Sequence, residues 1–177
     1  MTLLAASRTM LRALHVTKPI WNTEINYGLK TGGGGVAGRI SAQRQAANVV
    51  RTYTLNAASG VKRVFWYSWD LQSLANTRLT FASGTVTPAG RALTTVRSWL
   101  QGGRPSACTR DSKGTYTCKV TYTGGVRRIV WNPTRTVYLK TPATTSFWQS
   151  SGGAVTRIRA NKTLKINFLP KMIRSGR

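Results

Sequence analysis

The sequence of 177 residues predicts a mixed fold, in which an α/β part is followed by an all-β part. Helix-like and strand-like patterns alternate up to Gly103, whereas only short runs of period two follow it. The stretch Gly102-Gly103-Arg104-Pro105 stands where the pattern changes. We therefore predict two units: 1–103, which is α/β, and 104–177, which is a small antiparallel β-sandwich.

Three helices are predicted in the first unit. The first is a packed amphipathic helix that ends before Lys18-Pro19, because apolar residues recur at helical spacing in Leu3, Leu4, Met10, Leu11, Leu14 and Val16. Ser41 caps the second helix, and Gly60 follows its end. Thr87-Pro88 supplies the N-cap and first-turn proline of the third helix, which Gly102 closes.

Two strands are predicted between these helices, and their ends are where we expect a site. PIWNTEI reads as a short buried strand, and 61–70 reads as the second strand. The order helix, strand, helix, strand, helix is typical of a parallel α/β sheet, whose ligand sites lie beyond the carboxyl ends of its strands. Glu24 and Asp70, the only acids before residue 104, fall at or near those ends.

The surroundings of Glu24 suggest a site. Strand alternation predicts Asn22, Glu24 and Asn26 on one face, where the two amides would orient a carboxylate or sugar hydroxyls without adding charge. Two other interpretations stay open. Asp70 could be a helix or turn cap, and Glu24 could form a core ion pair with a buried arginine.

The segments KPIWNTEINYG and GVKRVFWYSWD, one helix apart, resemble the seventh and eighth strands of clan A glycoside hydrolases, the retaining (β/α)8 enzymes of the cellulase and family 39 type. The later TPAGRALTTVRSWL and the trailing β domain are also similar to members of that group. The resemblance implies the last two βα units of a TIM barrel followed by a β-sandwich. It implies hydrolysis of O-glycosidic bonds in a poly- or oligosaccharide, with a carbohydrate substrate and no cofactor.

The resemblance also assigns roles to residues. Glu24 matches the catalytic nucleophile of the family. Trp69 is the best match to the aromatic residue that forms the floor of the sugar-binding site. The other candidates for substrate binding share a position near the two strand ends and are Trp21, Asn22, Asn26, Tyr27, Tyr67 and Asp70. The acid/base glutamate of the family ends strand four, and this chain has no glutamate besides Glu24. We therefore expect the chain to be an incomplete enzyme that is inactive alone.

Charge supports a second interpretation. Lys and Arg total 27 against 3 acids, which gives a formal net charge of +24 and attracts polyanions. Residues 104–177 hold 15 of these cations and a single acid, Asp111, interleaved with aromatic residues. The alternative function is therefore a basic protein that binds nucleic acid or an anionic polysaccharide, although no RNP-like, zinc-finger or GXXG signature occurs in a convincing context.

Two other motifs bear on function and location. Gly33, Gly35 and Gly38 fit the spacing of a dinucleotide-binding loop, but the acid expected about twenty residues later is missing. The glycines are therefore interpreted as a flexible loop that covers the sugar site. Cys108 and Cys118 flank a turn, and a disulfide is favoured over two free thiols. Such a bridge and the resemblance both predict an extracellular or cell-wall location. No apolar run has the length of a membrane span, and the oligomeric state is left open.

Overall fold

The computed structural model describes residues 2–28, 40–70, 77–141, 146–159 and 161–175. Three helices and eleven strands form within these ranges. The helices are α1 (Thr2–Ala13), α2 (Ala42–Ala58) and α3 (Pro88–Leu100). The strands are β1 (Trp21–Ile25), β2 (Arg63–Trp66), β3 (Arg104–Pro105), β4 (Thr109–Arg110), β5 (Tyr116–Tyr122), β6 (Gly125–Trp131), β7 (Val137–Lys140), β8 (Ser146–Ser150), β9 (Val155–Ile158), β10 (Thr163–Ile166) and β11 (Lys171–Ser175).

The α/β part contains one parallel pair of strands. β1 and β2 pair in parallel, with Trp21 opposite Arg63 and Ile25 opposite Trp66. Parallel strands need a long crossover, and α2 lies in the connection between them. The Ser41 side chain caps this helix by accepting the amide hydrogen of Arg44, and Gly60 reverses the chain after it at a φ of 72°.

The β part is built around one large antiparallel sheet. Its strand order is β3, β5, β6, β11, β8 and β9, and β4 also pairs with β5. α2 and α3 cover one face of this sheet, where Val49 and Val96 pack against Ile129. The two-stranded sheet of β7 and β10 covers the other face, where Leu164 packs against Ile173. Two sheets therefore pack face to face in the manner of a sandwich, with helices on the outer face of the larger one.

The main hydrophobic core crosses the predicted boundary at residues 103 and 104. Trp99 of α3 is buried among residues of the sheet, and its indole Nε1 donates a hydrogen bond of 2.7 Å to Oε1 of Gln149. The Tyr122 hydroxyl donates to the Trp99 carbonyl, and Arg127 Nη1 donates to the Ser98 carbonyl at 2.6 Å. The helices and the large sheet thus share one interior, while the division into two units stays a prediction.

Three expectations about the α/β part were wrong. The PIWNTEI strand is not buried, since Trp21 and Glu24 are exposed, and the second strand runs only from Arg63 to Trp66. The apolar stripe predicted for the first helix is not packed in a core, because Met10, Leu14 and Val16 are exposed. The exposure of β1 follows from its place in a two-stranded sheet, against which α2 packs from one side.

The strands of the β part follow the sequence patterns more closely. Period-two runs predict short strands over 115–122, 126–132, 134–140, 145–149, 155–158 and 164–169, and each range overlaps an observed strand. No run predicted β3, β4 or β11. The run from 134 starts only at Val137, because Oδ1 of Asn132 accepts the amide hydrogens of Thr134 and Arg135 and holds them in a turn. The glycine-rich loop with Gly33, Gly35 and Gly38 lies outside the described residues.

Cys108 and Cys118 form a disulfide that joins the segment before β4 to β5, with 10 residues of separation. Closing a loop of this size removes conformational freedom from the unfolded chain and stabilises the fold by about 2–3 kcal/mol. We expect a reducing agent to lower the free energy of unfolding of the wild-type protein by that amount, as measured by urea denaturation.

The matched control is the double variant Cys108→Ala and Cys118→Ala, whose urea midpoint should be low and insensitive to the reducing agent. A wild-type midpoint that is the same with and without reductant would show that this bridge does not stabilise the fold.

Candidate functional site

The carboxyl ends of β1 and β2 are tied together by hydrogen bonds. The Tyr67 amide donates to the Ile25 carbonyl at 3.0 Å. Asn26 Nδ2 donates to the Thr77 carbonyl at 2.8 Å and also to the Tyr67 carbonyl. Thr77 in turn donates from Oγ1 to the Tyr27 carbonyl at 3.4 Å. The segments that follow both strands therefore form one connected rim.

Aromatic side chains line this rim, backed by α2. The Tyr27 hydroxyl is 2.8 Å from Oγ1 of Thr52, and the Tyr27 ring centroid is 6.0 Å from that of Trp66. Trp66 stacks on Tyr53 at 6.5 Å and donates from Nε1 to the Thr77 carbonyl at 3.0 Å. The Tyr27 side chain is 37% exposed, so part of its ring remains open to solvent.

Trp69 is the most exposed aromatic residue of the rim among those described. Its side chain is 62% exposed, while its carbonyl accepts the amide hydrogens of Leu79 at 2.8 Å and Thr80 at 3.0 Å. The backbone is thus fixed and the indole stays free for contact. The neighbouring peptide bond between Tyr67 and Ser68 is cis. Together these residues form an open aromatic surface beyond the strand ends.

Glu24 lies one residue before the end of β1, and its side chain is exposed. The expectation that Asn22, Glu24 and Asn26 share one face by simple alternation is not met, because the pairing of β1 with β2 shifts between Asn22 and Ile25. Such a bulge adds a residue to one strand and redirects the side chains around it. Asn22 instead contacts Asn56 of α2, with 3.4 Å between Nδ2 and Oδ1.

The other predicted residues occupy different places. Asp70 follows Trp69 at the rim and is exposed. Trp21 lies at the start of β1, about 10 Å of strand away from Glu24. There its ring is 6.2 Å from that of Phe65, with the Arg63 guanidinium 4.7 Å above it. The structure therefore gathers Asn26, Tyr27 and Tyr67 by direct contacts, and places Trp21 on the open face of the sheet.

A half-buried arginine bears on the ion-pair interpretation of Glu24. Desolvation, followed by the nearby charge of Arg44, lowers the pKa of Arg51 to about 10. Arg51 donates to the Phe168 carbonyl, and its buried Nε has no partner among the described residues. The three carboxylates of the chain are all exposed, so none is buried beside this cation. The exposure of Glu24 does not fit a core ion pair.

The residues that support the rim were not predicted from the sequence. Thr52 and Asn56 lie four residues apart on α2 and contact Tyr27 and Asn22, and Thr77 accepts hydrogen bonds from two side chains. Two polar residues at helical spacing within an otherwise core-facing stripe were the available signal for the pair on α2. Thr77 carried no comparable pattern in the sequence.

No group of three or more His, Cys, Asp or Glu side chains in the described ranges could hold a metal ion. None of the described helices has the length and apolar character needed to cross a bilayer.

The architecture is similar to part of a known carbohydrate-active enzyme. Among solved structures the chain aligns with gamma-CGTase, a cyclodextrin glycosyltransferase, from alkalophilic Bacillus clarkii, with a TM-score of 0.51 and 9% sequence identity. The alignment covers 96% of this chain and 29% of that chain, so the protein spans less than a third of the enzyme. No protein-family model matches the sequence, and no curated protein matches it significantly. At this identity the similarity shows a shared fold alone.

Proposed function

We propose that this chain is the C-terminal part of a retaining glycoside hydrolase of the clan A type, with Glu24 as its nucleophile. The observation that carries the proposal is an exposed carboxylate near the carboxyl end of a parallel strand, beside a rim of partly open aromatic residues. Ligand sites of α/β sheets lie beyond this end of the strands. The fold similarity to part of a carbohydrate-active enzyme agrees with it.

The proposed chemistry follows the retaining pathway. The Glu24 carboxylate attacks the anomeric carbon and forms a glycosyl ester, while a second carboxylic acid gives its proton to the leaving oxygen. Water then cleaves the ester, with that second residue now accepting a proton from the water. Trp69, Tyr67 and Tyr27 offer apolar ring faces to the sugar. Asn26 is a positioning residue, because its amide is bonded to the Thr77 and Tyr67 carbonyls.

The second carboxyl group must come from outside this chain. A retaining enzyme needs it about 5–5.5 Å from the nucleophile, and the family pattern puts it on another barrel strand. We therefore propose that 1–103 forms the last two βα units of a (β/α)8 barrel and that 104–177 is its β-sandwich. Trp21 and Phe65 lie on a face of the β1 and β2 sheet that no described element covers, and both are about half exposed. This exposure supports the proposal that further barrel strands and helices pack there. An extracellular location is proposed with it, supported by the disulfide.

The test is to read the DNA upstream of Met1 for an in-frame extension with six further strands, and to express the extended protein. A 2-deoxy-2-fluoroglycoside with a good leaving group traps the glycosyl ester of a retaining enzyme. We expect mass spectrometry to find this label on the peptide that contains Glu24, and we expect Glu24→Gln to lose both labelling and hydrolysis while keeping its fold. Asp70→Asn is the matched control and should still be labelled.

Two results would contradict the proposal. One is a label on a different carboxylate, and the other is an upstream sequence that codes for no barrel. The isolated chain of 177 residues should show no turnover, either as wild type or as Glu24→Gln, because it lacks the acid/base residue.

A further inference from the structure

The small sheet of β7 and β10 has an inner and an outer face. Its inner side chains pack in a core with the large sheet, and the pair of Leu139 and Leu164 is one example. Side chains alternate along a strand, so the residues between these inner ones point outward. The outer face presents four exposed residues, which we refer to as the Tyr138 face: Tyr138, Lys140, Thr163 and Lys165.

Tyr138 has the most exposed aromatic side chain in the described part of the chain. It is 71% exposed, compared with 62% for Trp69. Arginine guanidinium groups lie over two other exposed rings, at 4.7 Å for Trp21 and 4.4 Å for Phe81. No described residue stacks on Tyr138 or bonds to its hydroxyl. Its ring is therefore open to a ligand that stacks.

Two lysines flank this ring. Lys165 of β10 lies directly opposite Tyr138, and Lys140 follows Tyr138 by two residues on β7. Directly opposite residues have Cβ atoms about 5 Å apart, and diagonal neighbours such as Lys140 and Lys165 are about 7–8 Å apart. Both long side chains can therefore reach the same ligand as the ring.

The positive charge of this face is not balanced within the described ranges. The side chains of Lys140 and Lys165 have no ion-pair partner there. Lys171 adds a third cation, because its Nζ donates to the Lys165 carbonyl at 2.8 Å. Burial, followed by the positive charge of Lys165, lowers the pKa of Lys171. The acid of the β part, Asp111, accepts the amide hydrogen of Thr115 in its own loop. A polyanion would supply the missing negative charge.

We propose that the Tyr138 face binds single-stranded nucleic acid, as a site separate from the rim at Glu24. Tyr138 stacks on one unpaired base, and Lys140 and Lys165 bind the phosphates on either side of that base. Each base of a nucleotide strand is attached between two charged phosphates, which matches one ring beside two cations. Every base has a flat face for stacking, so the site accepts single strands of any sequence.

Other polyanions fit the Tyr138 face less well. A duplex keeps its base faces inside the helical stack, where an exposed tyrosine does not reach them. A uronic acid polymer carries its carboxylate on the sugar ring that would stack, and carboxylates suit the forked guanidinium of arginine. Both cations beside Tyr138 are lysines, which bind phosphate as point charges.

The experiment measures the binding of the whole chain to three short polyanions by calorimetry. The probes are a thymidine hexamer, an abasic deoxyribose-phosphate hexamer of the same charge, and a galacturonic acid hexamer. We expect the wild-type protein to bind the thymidine hexamer about tenfold more tightly than the abasic hexamer, which is the size of stacking on one base. Tyr138→Ala leaves the net charge unchanged and should remove this preference, whereas Tyr138→Phe should keep it.

Matched variants separate this face from the general charge of the protein. Phe81→Ala removes another exposed ring and should keep the preference for thymidine. Lys140→Gln should reduce the slope of log affinity against log salt by about 0.7, the value of one phosphate contact with a single strand. Lys62→Gln removes an equal charge from an exposed position before β2 and should leave that slope unchanged. Glu24→Gln should bind the thymidine hexamer as the wild type does, so failure of this proposal is distinguishable from failure of the hydrolase function.

Three results would overturn the proposal. The first is equal affinity of the wild-type protein for the thymidine and abasic hexamers. The second is a preference for thymidine that survives Tyr138→Ala, or that Phe81→Ala removes equally. The third is tightest binding of the galacturonic acid hexamer with a loss in Tyr138→Ala, which would assign the face to an acidic polysaccharide.

Discussion

Replacing Trp99 with alanine should lower the free energy of unfolding by about 3–5 kcal/mol, the cost of emptying a buried tryptophan site. The side chain is only 1% exposed and lies in the core that the helices share with the large sheet. Its loss leaves a cavity and also removes the donor to Oε1 of Gln149. Urea denaturation followed by circular dichroism measures the change.

Two further variants identify the cause of the Trp99 effect. Trp99→Phe keeps most of the ring and lacks the indole N–H, so it should be destabilised less than Trp99→Ala. Trp21→Ala removes the same type of side chain from an exposed position and should cost less than 1 kcal/mol, in the range of surface changes. Similar losses for Trp99→Ala and Trp21→Ala would contradict a core shared between α3 and the sheet.

Replacing Asn132 with alanine should be the second large effect, with a loss of about 2–4 kcal/mol. This side chain is fully buried. Nδ2 donates to the Lys113 carbonyl at 2.8 Å, and Oδ1 accepts the amide hydrogens of Thr134 and Arg135 at 3.2 and 3.1 Å. Alanine would leave these backbone groups without their partner and would loosen both turns at this end of the sheet.

Asn167→Ala is the matched control for Asn132. Asn167 also accepts a backbone amide hydrogen, that of Leu169, but it is only partly buried and supports one turn. We expect a change of under 1 kcal/mol for this variant. Thermal unfolding of both proteins at one pH gives the comparison, and an Asn132→Ala protein as stable as Asn167→Ala would refute the role of Asn132 as a bridge between two turns.

Much of the fold could be predicted from local patterns in the sequence. Ser41, Gly60 and Thr87-Pro88 fixed the boundaries of α2 and α3, because caps depend on a few neighbouring atoms. Period-two runs located six strands of the β part for the same reason, but not β3, β4 or the central β11. The pairing of those strands was not predictable, since β11 inserts between β6 and β8 and no local signal encodes that order.

The candidate site was predictable in position and less so in geometry. Placing Glu24 and Trp69 near strand ends needed only the alternation of helices and strands. The bulge between Asn22 and Ile25 was invisible, because strict alternation assumes regular pairing with a neighbour.

The central place of β11 has a consequence for how the chain reaches its fold during synthesis. Residues 171–175 are the last strand described, yet they bond to β6 on one side and to β8 on the other. While the ribosome still holds this segment, β6 and β8 have unpaired edges and the apolar residues of both sheet faces lack Met172 and Ile173. The large sheet is completed only after residues 171–175 have emerged from the ribosome, so the nascent protein passes through a stage in which shielding by a chaperone would be of benefit.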